Sequence, residues 1–111
     1  SIALGDFNIN QKEDSQLGIY ASQEKSWSIA HLVGCDDCKG THYYSYENSW
    51  SILDTIFLSQ DRGVSFIPDS ITVHVTETNS YSESQKPKRF DPITGKGVSD
   101  HFPVVAKLIF D

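Results

Sequence analysis

Residues 50 to 58 read Trp-Ser-Ile-Leu-Asp-Thr-Ile-Phe-Leu, and this stretch decides the fold class that the sequence predicts. Apolar and β-branched side chains run through it almost without a break, as is typical of a central strand covered on both faces. Asp54 interrupts the pattern, because a carboxylate buried in a strand costs free energy unless another group satisfies it. The stretch therefore predicts a central strand and a polar partner for Asp54.

Shorter runs predict further strands around this one. Residues 2 to 4 and residues 41 to 44 have strand composition. Residues 71 to 78 alternate between apolar and polar side chains, which is the period-2 pattern of a half-exposed strand. Residues 102 to 110 predict a final strand, with a proline tolerated near its start. The sequence thus predicts several strands and little helix.

The remaining segments predict one helix and two loops. Residues 17 to 32 place apolar side chains at partly helical spacing, while the polar residues 8 to 15 read as loop. Residues 79 to 97 are rich in Ser, Lys, Pro and Gly and predict a long surface loop, which in a compact domain is usually functional or disordered. This loop contains the basic run 86 to 89, read either as a solvated charge run or as a loop that steers phosphate toward a nearby site.

Composition limits the class of protein. The chain has 111 residues, 38% of them hydrophobic, and its 9 Lys and Arg against 15 Asp and Glu give a net charge of −6. It is at most one domain, it is too apolar for disorder, and it is not a generally basic protein that coats nucleic acid. No stretch approaches the roughly 20 apolar residues of a membrane span, and the N-terminus lacks the pattern of a signal peptide. Because the chain has no Met and opens within a predicted strand, we expect a fragment; its compartment stays open.

The two cysteines are separated by two aspartates, in the order Cys35-Asp-Asp-Cys38. Without a second such pair, a four-cysteine zinc site is excluded. The pair reads as a local clasp of a loop or as two free thiols. A zinc site completed by His31 or His42, or a redox role, is the weaker alternative.

Three polar clusters lie at or inside predicted strands, and they are the candidates for chemistry. They are Gly5-Asp6-Phe7-Asn8, Asp54, and Ser99-Asp100-His101. A fold that stacks these strands side by side brings their acids and the imidazole to one edge. A histidine beside a carboxylate donates a proton or faces a phosphate as a cation, and a buried carboxylate fixes which ring nitrogen carries the proton. We expect Asp54 to be that orienting carboxylate.

At these clusters the sequence resembles the endonuclease/exonuclease/phosphatase family of divalent-metal phosphoesterases. The resemblance is carried by Gly5-Asp-Phe-Asn8, by the strand pattern from Trp50 to Ser59, and by Ser99-Asp-His-x-Pro-Val104, all in the family's order. It covers essentially the whole chain as the C-terminal half of one domain, with the N-terminal half absent. The stretch from Cys35 to Tyr44 is similar to a bacterial branch of the family.

The resemblance implies an α+β fold, half of a four-layer αββα, DNase I-like sandwich, built mostly from one mixed or antiparallel sheet with little helix. It implies a phosphoester hydrolase of the nuclease-like phosphodiesterase type, which takes Mg²⁺ or Mn²⁺. One face of the sheet would be bare, so we expect the missing half of the domain or a dimer partner to cover it.

The resemblance also implies roles for individual residues. Asp6 handles the proton of the attacking water or of the leaving oxygen, and Asn8 holds the water or a phosphate oxygen. Asp100 binds the metal. His101 donates to a non-bridging phosphate oxygen, and Asp54 orients His101. Trp50 reads as core, with a position flanking the substrate as the functional alternative.

The family's metal-binding Glu and an active-site Asn lie upstream of the first motif, and nothing in this chain corresponds to them. We therefore expect the chain to be inactive alone and its parent protein to hydrolyse a phosphate ester, with nucleic acid among the candidate substrates. The alternative is a non-catalytic binding module that retains the fold. The three other histidines have no comparable neighbours in the sequence and read as surface or satisfied core residues: His31, His42 and His74.

Overall fold

The computed structural model describes residues 1–35, 38–61 and 63–111. Its strands are β1 (Ile2–Asp6), β2 (Trp27–Ile29), β3 (His42–Tyr44), β4 (Ser49–Ser51), β5 (Asp54–Ser59), β6 (Val64–Phe66), β7 (Thr72–Val73), β8 (Val104–Val105) and β9 (Leu108–Phe110). Its helices are α1 (Gln11–Leu17), α2 (Ile19–Gln23), α3 (Ala30–Val33) and a 3-10 turn at Pro68–Ser70. Aspartates 36 and 37, between the two cysteines, lie outside the described residues.

The strands form small antiparallel sheets rather than one large sheet. The largest has three strands in the order β1-β5-β2, and the other pairs within the described residues are β3-β4, β6-β9 and β7-β8. The expected half of a four-layer αββα sandwich with mostly one sheet is therefore wrong. The physical reason is that the long apolar runs of the sequence break into short strands with different partners.

The run from residue 50 to 58 shows how this happens. It divides into β4 and β5, and the residues between them do not extend either strand. The buried Thr41 hydroxyl accepts hydrogen bonds from the amides of Leu53 and Asp54, at 3.0 and 3.3 Å. Because these amides bond to a side chain instead of a ladder, the strand begins only at Asp54. β5 is the central strand of its sheet, as predicted, but Asp54 lies at its start and not in its middle.

The C-terminal run divides in the same manner. The single strand predicted over residues 102 to 110 is two strands, of which β8 pairs with β7 and β9 pairs with β6. The Pro103 carbonyl accepts a hydrogen bond of 2.8 Å from the His74 amide, beyond the end of β7. The strand predicted over residues 71 to 78 is correspondingly reduced to Thr72–Val73.

The N-terminal third differs most from expectation. The loop predicted over residues 8 to 15 is correct only as far as residue 10, because α1 begins after Asn10. The Asn10 side chain accepts from the Glu13 amide at 2.8 Å, while the Glu13 side chain accepts from the Asn10 amide. This reciprocal capping offsets the polar composition of the helix. The single helix predicted over 17 to 32 is also wrong, since α2, β2 and α3 divide that segment. Gly18 ends α1 in the left-handed conformation, with φ at 59°.

The core lies on both faces of β5, because successive side chains of a strand point to opposite sides. Leu58 packs in a cluster with Ala30, Phe66 and Ile71. Phe57, which precedes Leu58, packs on the opposite face of β5 with Tyr20 and Ile29. The central strand is therefore covered on two faces as the sequence predicted.

The long loop predicted over residues 79 to 97 is confirmed, since none of the named helices or strands of the described chain falls there. Asn79 is buried and accepts from the Thr76 amide while donating to the His74 carbonyl, which fixes the start of the loop. A disulfide joins Cys35 and Cys38, consistent with a loop clasp. No helix in the described part of the chain has both the length and the apolar character that a bilayer crossing requires.

Candidate functional site

Two of the predicted carboxylates meet at the end of the three-stranded sheet. In the antiparallel register of β1 and β5, Asp6 lies directly opposite Asp54. Side chains of directly opposite residues share a face, with their Cβ atoms about 4.5–5.5 Å apart. The pairing continues one residue further, since the Phe7 amide donates to the Leu53 carbonyl at 2.9 Å. The strand register thus places both acids at one edge.

The imidazole of His101 joins this edge. Its Nδ1 lies 2.6 Å from the Oδ2 of Asp54, and both side chains are only about one-fifth exposed, at 23% and 21%. Because an ionised carboxylate can only accept, Nδ1 carries the proton in this contact and donates it to Asp54. The contact that the sequence predicted between Asp54 and His101 is therefore present. Potential ligand atoms of Asp6, Asp54 and His101 all lie within 4.8 Å of one another.

Thr41 explains how residues 47 positions apart in the chain come together. Its side-chain oxygen accepts from the amides of Leu53 and Asp54, while its carbonyl accepts from the Phe102 amide at 2.7 Å. Thr41 is fully buried. One residue therefore fixes the backbone on both sides of the Asp54 and His101 contact. No sequence motif pointed to it, because its partners are all distant in the chain.

Asp100 lies on the other side of His101. Its Oδ2 is 3.7 Å from Nη2 of Arg89 and 4.0 Å from Nε2 of His42. The Ser99 hydroxyl accepts from the His101 amide at 3.1 Å, which shapes the turn between these residues. Asp100 groups within 4.8 Å with His42 and His101, rather than with the two carboxylates at the sheet edge.

His42, which the sequence reading took for a surface or satisfied core histidine, lies beside two residues of the candidate site, Asp100 and His101. An isolated antiparallel bridge pairs His42 with His101, and their ring centroids are 4.8 Å apart. His31, in contrast, has the satisfied environment that the sequence reading expected. Its Nδ1 lies 2.8 Å from the Thr55 hydroxyl, and burial holds its pKa below 6.5.

Asn8 adopts the left-handed backbone conformation, with φ at 54°, directly after β1. Its amide donates to Oδ1 of Asp6 at 2.8 Å. Asparagine tolerates this conformation better than most residues. The turn therefore holds the Asp6 carboxylate at the sheet edge, and it brings Asn8 next to it.

Trp50 packs beside the site rather than within its polar group. Its ring is stacked on Phe102 with a centroid distance of 6.1 Å and meets Tyr43 edge-on at 5.4 Å. It also lines a cleft of about 810 Å³, together with both cysteines of the disulfide. The lining of this cleft contains none of the residues with predicted catalytic roles, so its location differs from that of the polar edge.

The basic loop approaches the same region. Nζ of Lys86 lies 3.9 Å from the ring centroid of Tyr43, and Arg89 contacts Asp100 as described above. A parallel bridge between Arg89 and Val98 ties the basic run to the segment that precedes Asp100. The loop therefore holds the positive charge of Arg89 beside Asp100.

Tyr20 is a further polar group, which the sequence analysis did not single out. Its ring is 3% exposed and its hydroxyl has no hydrogen-bond partner within the described part of the molecule. Burial raises the pKa of Tyr20 to about 12, with added contributions from the nearby charges of Asp14, Asp54 and Asp6. The phenol thus remains neutral under all ordinary conditions.

No protein-family profile, curated protein or solved structure matches this chain.

Proposed function

We propose that this chain is part of a divalent-metal-dependent phosphoester hydrolase of the nuclease-like phosphodiesterase type. The single observation that carries the proposal is the 2.6 Å contact between Asp54 and His101, with Asp6 in the same group of ligand atoms. Two carboxylates and an oriented imidazole at one solvent-accessible edge are suited to in-line displacement at phosphorus, where negative charge develops on the equatorial oxygens.

The imidazole has the clearest role in this scheme. Asp54 accepts the hydrogen bond from Nδ1–H of His101. The other ring nitrogen, Nε2, is therefore the one that contacts the substrate. When protonated, it donates a hydrogen bond to a non-bridging phosphate oxygen and offsets the charge that develops there. Asp54 acts through His101 and is a positioning residue.

Asp6 is the proposed general base or acid. Its carboxylate is exposed and is held by the Asn8 amide, so it can take a proton from an attacking water or return one to a leaving oxygen. Asn8, next to it, supplies an amide side chain that can hold the water or a phosphate oxygen. Trp50 borders the substrate on the side of Phe102.

Asp100 is the proposed ligand of Mg²⁺ or Mn²⁺, which favour carboxylate oxygens. It lies on the other side of His101 from Asp6 and Asp54, so the further oxygen ligands of such an ion would come from the missing part of the site. A hard cation bound there would neutralise charge on the phosphoryl group. Because the sequence offers no counterpart of the family's metal-binding Glu, we propose that this chain supplies the C-terminal half of the domain and only part of the metal site.

Exposed apolar side chains support a partner for this half. Leu4 on β1 is 71% exposed and Phe110 on β9 is 73% exposed. Leaving such side chains in water forfeits roughly 25 cal/mol for each Å² of apolar surface. A further half of the domain, or a dimer partner, would cover them.

Hydrolysis of bis(p-nitrophenyl) phosphate by the parent protein tests the function. We expect turnover with Mg²⁺, loss of turnover with EDTA, and recovery when Mg²⁺ is restored. His101→Ala should lower kcat by about 10²–10⁴-fold, the usual contribution of a positioned acid or base. His74→Ala, which removes an exposed histidine outside the site, is the control and should leave kcat unchanged.

Two results would contradict the proposal: a parent protein that hydrolyses neither this diester nor p-nitrophenyl phosphate, or a His101→Ala variant as active as the wild type. The 111-residue chain alone should be inactive in the same assay. Turnover that survives repurification of the chain would show that the chain holds a complete active site. It would not contradict the proposed reaction.

A further inference from the structure

His42 and His101 form a pair of imidazoles that the phosphoester scheme does not use as a pair. The antiparallel bridge between the two residues and the hydrogen bond from the Phe102 amide to the Thr41 carbonyl hold their backbones side by side. Their ring centroids are 4.8 Å apart, with an angle of 40° between the ring planes. The rings are thus neither stacked face to face nor separated by other side chains.

Asp100 completes a three-residue group with this pair. Nε2 of His42 is 4.0 Å from Oδ2 of Asp100, and one ligand atom from each of the three residues lies within 4.8 Å of the others. The side chains are partly open to solvent, with 22% of His42 and 48% of Asp100 exposed. An ion from solution can therefore reach the group.

The fourth residue of the arrangement is Asp54. Histidines that bind metals usually donate their other ring N–H to a carboxylate, which fixes the ring and raises the basicity of the ligand nitrogen. His101 already makes this contact through Nδ1, which leaves Nε2 as its ligand atom. The outer partner of a metal-binding histidine is thus in place before any ion binds.

We propose that His42, Asp100 and His101 bind Zn²⁺, with Asp54 as the outer partner of His101 and a fourth position left to solvent. Two imidazole nitrogens and one carboxylate oxygen form a donor set that suits Zn²⁺ and is a poor one for Mg²⁺, which requires oxygen ligands. The proposal does not depend on the phosphoester function, because it concerns equilibrium binding of an ion. Bound Zn²⁺ would occupy Nε2 of His101 and Asp100, so it would inhibit a reaction that uses these two groups.

The geometry requires a small closure on binding. A tetrahedral zinc site with bonds of about 2.0–2.2 Å has ligand atoms about 3.4 Å apart. The 4.0 Å between His42 and Asp100 therefore shortens by about 0.6 Å, and the two distances to the ligand atom of His101, which are at most 4.8 Å, close toward the same value. Asp100 is the most exposed of the three side chains, so its rotation supplies its part of the movement, and the approach of the two imidazoles requires a shift of the rings themselves.

Substitution of Arg89 should raise the affinity for Zn²⁺, whereas substitution of a ligand should lower it. Its Nη2 lies 3.7 Å from the Asp100 oxygen, and its side chain is 79% exposed. A guanidinium beside the ligand oxygen competes with a cation, so Arg89→Ala should tighten Zn²⁺ binding. Exposed ion pairs of this kind correspond to about a 2- to 5-fold change in affinity.

The experiment is a Zn²⁺ titration of the chain by calorimetry, with the Cys35 and Cys38 disulfide kept oxidised, and a parallel Co²⁺ titration followed by visible absorption. We expect one saturable site with the absorption of tetrahedral Co²⁺. His42→Ala and Asp100→Asn should each weaken Zn²⁺ binding by more than about tenfold, as loss of a ligand or its support does. The control His74→Ala should bind as the wild type does.

Circular dichroism of each variant verifies that it is folded, and the tighter binding expected for Arg89→Ala cannot arise from unfolding. Absence of saturable binding, unchanged affinity in both His42→Ala and Asp100→Asn, or weaker binding in Arg89→Ala would overturn the proposal. Binding that appears only after the Cys35–Cys38 disulfide is reduced, and that is lost in the Cys35→Ser and Cys38→Ser double variant, would overturn it as well, since it would assign the ion to the thiols.

Discussion

Oδ2 of Asp54, the first residue of β5, lies 2.6 Å from Nδ1 of His101, which precedes β8 and is 47 positions further along the chain. The carboxylate determines which tautomer the imidazole adopts, and it leaves Nε2 free for either of the two ligands considered, a phosphate oxygen or a metal ion. The same contact therefore underlies both proposals.

The tautomer of His101 is the first prediction. Asp54→Asn keeps the shape of the side chain but replaces an obligate acceptor by a group that can also donate. We expect the ring ¹⁵N shifts of His101 to move away from the Nδ1–H form, and kcat of the parent protein to fall about 10- to 100-fold. Asp69→Asn, which removes an exposed carboxylate from the 3-10 turn, is the control. Identical ¹⁵N shifts in wild type and Asp54→Asn would contradict the assignment.

The Thr41 hydroxyl should contribute measurably to stability. Thr41→Val leaves the amides of Leu53 and Asp54 without their acceptor in a buried place, which costs about 1–3 kcal/mol. Thr41→Ser keeps the oxygen and should lose less. Urea unfolding of the three proteins provides the comparison, and an equal loss in the Val and Ser variants would show that the hydroxyl is unimportant.

The orphaned hydroxyl of Tyr20 predicts a stabilising substitution. Tyr20→Phe removes a buried oxygen without a partner among the described residues while retaining the ring that packs on Phe57. We expect the free energy of unfolding to rise by up to about 1 kcal/mol, because the desolvation cost of an unsatisfied group disappears. Tyr43→Phe is the matched control. The Tyr43 hydroxyl donates to Asn48, so its removal should lower the free energy of unfolding slightly. A loss of stability in Tyr20→Phe would mean that the hydroxyl has a partner in solution.

His31 should make stability depend on pH. Burial lowers its pKa in the folded chain below the 6.5 of the unfolded chain, so the unfolded state binds the proton more readily. The stabilisation is complete above 6.5 and is lost as the pH falls from 6.5 toward the lower folded pKa. Wild type should therefore lose more stability than His31→Gln between about pH 7.5 and about pH 5.5, by at most about 1.4 kcal/mol for each pH unit. Equal losses in urea unfolding would disprove this, and His74→Gln should behave as wild type.

Gly97 should resist substitution because of its backbone. With φ at 80°, a Cβ there would overlap the carbonyl oxygen of Arg89, whereas Gly95, with φ at 71°, has open space around it. Both Ala variants force a side chain into the left-handed region, but only Gly97→Ala adds the clash. We expect a loss of about 1–3 kcal/mol for Gly97→Ala and a smaller one for Gly95→Ala. Thermal unfolding that shifts equally in both variants would contradict the clash.

Local patterns in the sequence predicted part of this fold and part of the site. The apolar run ending at Leu58 indicated a central strand, and the motif residues Asp6, Asp54 and His101 do share one edge. The pattern Asn10-x-x-Glu13 is a capping box, which is visible in the sequence and predicts the start of α1.

Other features depend on contacts between distant residues and left no local signal. The break before Asp54 arises from the Thr41 hydroxyl, and the division of the last strand arises from pairing with two different partners. His42 reaches Asp100 only because a bridge aligns it with His101. A periodic pattern reports which residues are buried, but not which neighbour satisfies their polar groups.

Thr41 has a consequence for how such a sequence can diverge. Its hydroxyl holds the start of the strand that carries Asp54, and its carbonyl holds the residue after His101. A substitution at Thr41 therefore disturbs the backbone beside both Asp54 and His101, whereas a substitution at an exposed neighbour such as Lys39 does not. In sequences that diverge from this one, substitution of Thr41 should be accompanied by changes in the segments around residues 53 and 102. Asp54 and His101 should be retained together or lost together.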